Sequence, residues 1–100
     1  GDGGVDFEYA GKVIDIKGTI HWKSPHLKQY PKPKRWADCY VLAAVDVGGK
    51  RAKLFGWAGR DQMQTARLVD YGYGEQRSLT VADLMPGLPS WLPKRKDTEK

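Results

Sequence analysis

Val5-Asp6-Phe7-Glu8-Tyr9-Ala10-Gly11-Lys12-Val13-Ile14-Asp15-Ile16-Lys17-Gly18-Thr19 is the stretch on which the fold turns. Val5, Phe7 and Tyr9 alternate with Asp6 and Glu8, which predicts a strand over residues 5–9. Residues 10–12 predict a short turn, with Gly11 free to adopt an unusual backbone angle. Residues 12–22 predict a longer strand, because Val13, Ile14, Ile16, Thr19 and Ile20 are β-branched. Together the two runs predict a hairpin. Residues two apart on a strand share a face, roughly 6.5–7 Å apart. Ile14 and Ile16 therefore share the face that seeks the core, and Asp15 and Lys17 share the other, near a sheet edge or a cleft. The hairpin register decides whether Asp6 approaches the same point.

Outward from the hairpin, residues 23–36 contain Pro25, Pro31 and Pro33 and predict a loop, neither strand nor helix. Residues 37–47 are mostly apolar and predict a buried central strand. Gly48 and Gly49 turn the chain, and residues 51–57 return as another strand. Asp61 is the predicted N-cap of a short helix reaching about Val69. Residues 71–74 predict a loop, residues 79–81 a last strand and residues 82–85 a turn. The expected fold class is α/β (α+β), a mixed sheet of four to five strands with one or two short helices. One domain is expected over residues 1–93, with a disordered tail over 94–100.

The chain has 100 residues, enough for one modest core and not for two. Forty per cent hydrophobic and 29% charged residues exclude wholesale disorder. A single cysteine, Cys39, excludes an internal disulfide and reads as inert core. No apolar run approaches the roughly 18–20 residues of a membrane span. The opening residues 1–4 lack the charged-then-apolar order of a signal peptide. A soluble, cytoplasmic protein is the expectation, with no membrane partner.

The net charge of +5 is unevenly spread. Residues 1–20 carry four acids against two lysines. Residues 21–36 carry Lys23, Lys28, Lys32, Lys34 and Arg35 and no acid, a charge equal to the whole excess. A local basic stretch points to an anionic partner. Trp22, Tyr30, Trp36 and His26 are interleaved with these cations, which suits nucleic acid: cations meet phosphates and rings stack on bases. Lys23, Lys28, Lys32, Lys34 and Arg35 are the candidate phosphate contacts. Trp22 and Trp36, at the loop's ends, are expected to anchor it to the core.

Two carboxylates converging on one point repel, and without a counter-charge one is pushed toward its protonated form. Mg²⁺ removes the conflict, since it takes one or two carboxylates and keeps several waters. A protonated lysine cannot ligate the ion, but it orients water or stabilises charge on a phosphate. Asp6, Asp15 and Lys17 thus make a coherent site for hydrolysing a phosphodiester. His21, His26 and Cys39 match no common structural zinc spacing and lack a fourth ligand. No Walker glycine loop, serine-hydrolase elbow or dinucleotide fingerprint is present.

Asp6 as first acid, followed by Asp15-Ile16-Lys17 as the (D/E)xK element, resembles the PD-(D/E)xK nuclease superfamily. Gly1-Asp2-Gly3-Gly4-Val5-Asp6 is particularly similar to the glycine-rich turn of Mrr-like restriction and repair endonucleases. The resemblance implies a restriction-endonuclease-like fold, a mixed β-sheet flanked by helices. It implies a Mg²⁺-dependent DNA endonuclease, with Mn²⁺ as a substitute. Asp6, Asp15 and Lys17 would be catalytic, and Asp6, Asp15 and the Ile16 carbonyl would hold the metal. Glu8 is an accessory candidate as an outer ligand, and Thr19 as a contact to phosphate or water. His21, expected on the face of Lys17, is an accessory candidate for substrate contact or proton transfer. A prokaryotic or phage-encoded protein, cutting both strands as a homodimer, is further implied. The superfamily usually opens its core with an α-helix and places proline where Val5 stands. A truncated member, or a complementing chain that supplies the N-terminal helix, is the corresponding expectation. The alternative function is a non-catalytic nucleic-acid-binding module that uses the basic aromatic loop 21–36.

Overall fold

The computed structural model describes residues 4–46, 48 and 50–92. The expected glycine-rich turn at 1–3 and the expected tail at 94–100 lie outside the described residues, as does Gly49. Two sheets form a small α+β domain. The first has four strands in the order β1 (Gly4–Tyr9), β2 (Lys12–Thr19), β4 (Cys39–Val45) and β5 (Ala52–Gly59). The second has three, in the order β3 (His26–Gln29), β7 (Glu75–Thr80) and β6 (Arg67–Asp70). One helix, α1 (Arg60–Gln64), and a 3-10 turn, Val81–Asp83, complete the described elements.

The predicted hairpin forms. Ala10 (φ +54°) and Gly11 (φ +78°) turn the chain in two residues. Positive φ at both positions is the geometry whose twist matches the flanking strands. β2 then runs parallel to β4, and β4 antiparallel to β5, so the first sheet is mixed. Parallel neighbours need a crossover. Residues 20–38 provide it, and they build β3 on the way. The loop expected there is therefore interrupted by a strand. Leu27 and Gln29 are buried while His26 and Lys28 are half-buried, a period of two. The prolines bracket this segment without entering it, which is why it pairs with β7 despite them.

Four further expectations are corrected. Asp61 does not cap the helix: the N-cap is Gly59, without a side-chain bond. The helix stops at Gln64, where the Thr65 hydroxyl donates to the Asp61 carbonyl at 2.8 Å. Residues 67–70 are strand, because pairing with β7 outweighs local helix preference. The last strand begins at Glu75 and ends at Thr80, earlier than residues 79–81 suggest. The alternation pattern predicts a single sheet, yet a second sheet lies where flanking helices are implied.

The core is also placed differently. Val13, Tyr40, Leu42 and Ala58, from one face of the first sheet, cluster with Leu27 and Leu79 of the second sheet and Met63 of α1. Trp36 packs against this cluster, as expected of a loop anchor. Ile14, Cys39 and Val41 form a smaller cluster on the opposite face, covered by Ile16, Trp57, Trp91 and Leu92. The isoleucines are core residues as predicted, but the larger core shares the face of Asp15. Among the described residues, no helix is long and apolar enough to cross a membrane.

Candidate active site

The two-residue turn fixes the register of β1 on β2. Asp6 lies directly across from Asp15, and Gly4 directly across from Lys17. Opposed residues of an antiparallel pair point to the same face. Asp6, Asp15 and Lys17 thus occupy one face: the spacing puts Lys17 with Asp15, and the register adds Asp6. Asp15 is only 8% exposed, since β2 is flanked by β1 and β4 and its neighbour across β4 is Tyr40. Lys17 Nζ lies 3.2 Å from Asp15 Oδ2. The other oxygen, Asp15 Oδ1, is buried with no hydrogen-bond partner among the described residues. A cavity of about 190 Å³ opens onto this carboxylate, lined also by Asp6, Glu8 and Arg35.

The electrostatics follow from burial. Desolvation pushes the Asp15 carboxyl above its ordinary value of 3.8, and Asp6 adds to the rise as a like charge. Lys17 opposes both without cancelling them. A carboxyl raised on folding ionises at a cost to the folded state. That cost is absent below about pH 4, grows as pH rises through the folded value, and is full above it. Asp15→Asn removes the cost while keeping a side-chain carbonyl for Lys17. The variant is expected to melt higher than wild type at pH 7, by a few degrees, with the gain fading as pH falls toward about 4. Circular dichroism melts across pH check this; an Asn variant that melts lower at pH 7 contradicts it.

The remaining candidates sit as follows. Glu8 is exposed at the rim of the carboxylate cavity, in an ion pair with Arg35 at 2.8 Å. Ile16 lies between the two site residues on a strand paired on both sides, so its carbonyl lies in the plane of the sheet. Thr19 is on the same face as Lys17 and accepts the His21 N–H at 3.0 Å. His21 itself is exposed and past the end of β2, where even spacing no longer fixes which face it takes. Lys23, Lys32, Lys34 and Arg35 are exposed. Lys28 is on β3 and lines a different cavity, of about 300 Å³, together with Lys17, Thr19, His26, Tyr73 and Gln76. Cys39 is fully buried and its thiol is pushed up to about 11, consistent with inert core.

Tyr71, Tyr73 and Gln76 escape sequence reasoning as candidate site residues. Tyr71 and Tyr73 lie in the turn between β6 and β7, and Gln76 lies on β7, whose partner β3 is concealed among prolines. The available signal is an aromatic set between two glycines and preceded by Asp70, a pattern that places a ring at an exposed turn. Among the described residues no three His, Cys, Asp or Glu side chains converge as a metal cage. The oxygen donors that meet are Asp6 and Asp15. Comparison of the chain with protein-family models, with curated proteins and with solved structures returns no match.

Proposed function

We propose that this protein is a metal-dependent DNA endonuclease of the PD-(D/E)xK type, hydrolysing phosphodiester bonds with Mg²⁺. The observation that carries the reading is the register. It sets Asp6 across from Asp15 with Lys17 beside them, it leaves Asp15 Oδ1 buried without a partner among the described residues, and it places Asp15 in the lining of the cavity of about 190 Å³. The donor chemistry fits a hard cation: two carboxylates, with water to complete the shell. The Ile16 carbonyl, which has two lone pairs, is a third oxygen donor in this reading. A divalent cation there supplies Lewis acidity, polarising a phosphate and easing proton loss from water.

The chain's own residues do the rest. Asp6 and Asp15 would hold the ion on the face they share with Lys17. Positive charge near Asp15 favours its ionised form, offsetting the desolvation that raises it. Lys17 presents its ammonium on the same face, where it stabilises negative charge building on the phosphate or positions water. The covered sheet around Asp15 keeps these charges in a medium less polar than water, which strengthens each of them. The mixed four-stranded sheet supports a restriction-endonuclease-like core, with the second sheet and the brevity of α1 as departures from it. Two-strand cutting as a homodimer belongs to the same proposal.

The test is nicking of supercoiled plasmid. Mg²⁺ is expected to support it, a chelator to stop it, and Asp6→Ala and Asp15→Ala each to abolish it. Cleavage that persists in both variants removes the site assignment. The second reading, a nucleic-acid-binding module without catalysis, draws on the cationic cavity beside Tyr73. It predicts salt-sensitive binding with no metal-dependent cleavage.

A further inference from the structure

The cavity of about 300 Å³ lies beyond Lys17 from Asp15, between the two sheets. Lys17, His26 and Lys28 line it, and among the described residues no carboxylate does. Tyr73 lines it too, yet is 65% exposed. That exposure is built into the backbone. Gly72 (φ +105°) and Gly74 (φ +107°) flank Tyr73 in a region that residues with side chains rarely adopt. The Asp70 carboxylate accepts from the N–H of Gly72 at 2.7 Å and of Gly74 at 3.3 Å. Tyr71 is held below by a 2.7 Å hydrogen bond between its hydroxyl and that of Ser78. Lys28 Nζ sits 4.2 Å from the centre of the Tyr71 ring and donates to the Tyr73 hydroxyl at 3.3 Å. A loop tied back to Asp70 by these two bonds therefore holds one exposed ring beside a cationic cavity, which lowers the ordering cost on binding.

We infer that this cavity is a subsite for one unpaired nucleotide of a single-stranded nucleic acid, with phosphate against Lys28 and His26 and the base stacked on Tyr73. The chemistry matches part by part. Lysine and histidine meet phosphate, an exposed ring stacks on any base, and the Gln76 amide offers a donor and an acceptor to a base edge. The volume, about 300 Å³, is at the small end of ligand cavities and suits one nucleotide better than a base pair. Bases inside a duplex are stacked on each other and present no face to Tyr73, so the strand is single or locally unpaired. The inference deepens the nuclease reading and rests on it for the path of the strand, which runs past Lys17 toward Asp15.

Binding is measured by fluorescence anisotropy in EDTA, where no cleavage occurs. The probe is a labelled oligothymidylate of about twelve residues, beside the same strand annealed to its complement and an abasic strand of equal length. The single strand is expected to bind at least about tenfold more tightly than the duplex. Tyr73→Ala is expected to weaken single-strand binding about tenfold, Tyr73→Phe to preserve it, and the abasic strand to be indifferent to either. Lys28→Ala is expected to lower the salt slope by roughly 0.7. Tyr73 is exposed, so a circular dichroism melt is expected to show an unchanged fold. Equal affinity of Tyr73→Ala and wild type, preference for the duplex, or no binding of the single strand overturns the inference. Tyr73-dependent binding without cleavage in any divalent metal supports the subsite and removes the nuclease reading. Cleavage with Tyr73-independent binding does the reverse.

Discussion

On the proposed nuclease function, Lys17→Met is expected to lower Mg²⁺-dependent cleavage by about two to three orders of magnitude, the effect of removing one preorganised charge donor from a reacting centre. Lys17 is on an inner strand, its side chain only 12% exposed, 3.2 Å from Asp15. Methionine keeps the length and apolar stem and loses the charge. Two causes of the loss separate by pH. Both influences that pull the Asp15 carboxyl down, charge and hydrogen bond, come from Lys17. Without it that carboxyl rises further, and the variant's rate profile moves to higher pH. Raising the pH restores ionised Asp15 and with it any part of the loss due to protonation. The deficit that persists at high pH is the contribution of Lys17 to the reacting phosphate. A rate within about threefold of wild type at every pH, in a variant shown to be folded, removes Lys17 from the machinery.

Gly56→Ala is expected to destabilise the domain by about 3 kcal/mol or more, from backbone strain and overpacking together. At roughly 4–8 °C per kcal/mol for a domain of this size, the melting temperature falls by about 12 °C or more. Gly56 has φ +143°, and a Cβ there would lie 2.5 Å from the Met85 carbonyl oxygen and 3.0 Å from Leu84 Cβ. Neither neighbour moves freely. Trp57 N–H donates to that same Met85 carbonyl at 2.9 Å, and Met85 N–H returns to the Trp57 carbonyl at 2.8 Å. This bridge ties the chain after the second sheet to β5, and the chain leads from there to Trp91 and Leu92, which cover Ile14, Cys39 and Val41. Displacing it loosens that cover. Gly59→Ala is the control, since a Cβ added there would meet nothing within 4 Å and its φ is −82°. Thermal melts of the pair decide: a Gly56 variant that melts within a few degrees of wild type contradicts the account.

The central strand, the β5 return and the hairpin are legible in the sequence because their signals are local. Apolar runs, β-branched residues and a glycine turn each act over a few neighbours. The second sheet is not legible. Its β3 lies among three prolines, and residues 67–70 read as the end of a helix. Both are held as strands by their partner, β7, and pairing partners far apart in sequence leave no local trace. The face of His21 is not fixed by spacing, for a related reason. Even spacing preserves a face only while the strand lasts, and β2 ends at Thr19.

For the candidate site, the sequence by itself determined the parity: Asp15 and Lys17 on one face of β2, Ile14 and Ile16 on the other. Alternation is a property of any extended chain, so it needs no partner. Only the tertiary structure decided that Asp6 stands across from Asp15, because a register shift of one residue would send its side chain to the opposite face. It also decided how deeply Asp15 is buried, since that depends on β4 and Tyr40, more than twenty positions away. And it brought Tyr73 to Lys28, across 45 positions, through the pairing of β3 with β7. Distances along the chain set the chemistry available at each position; pairing between strands set which of those groups meet.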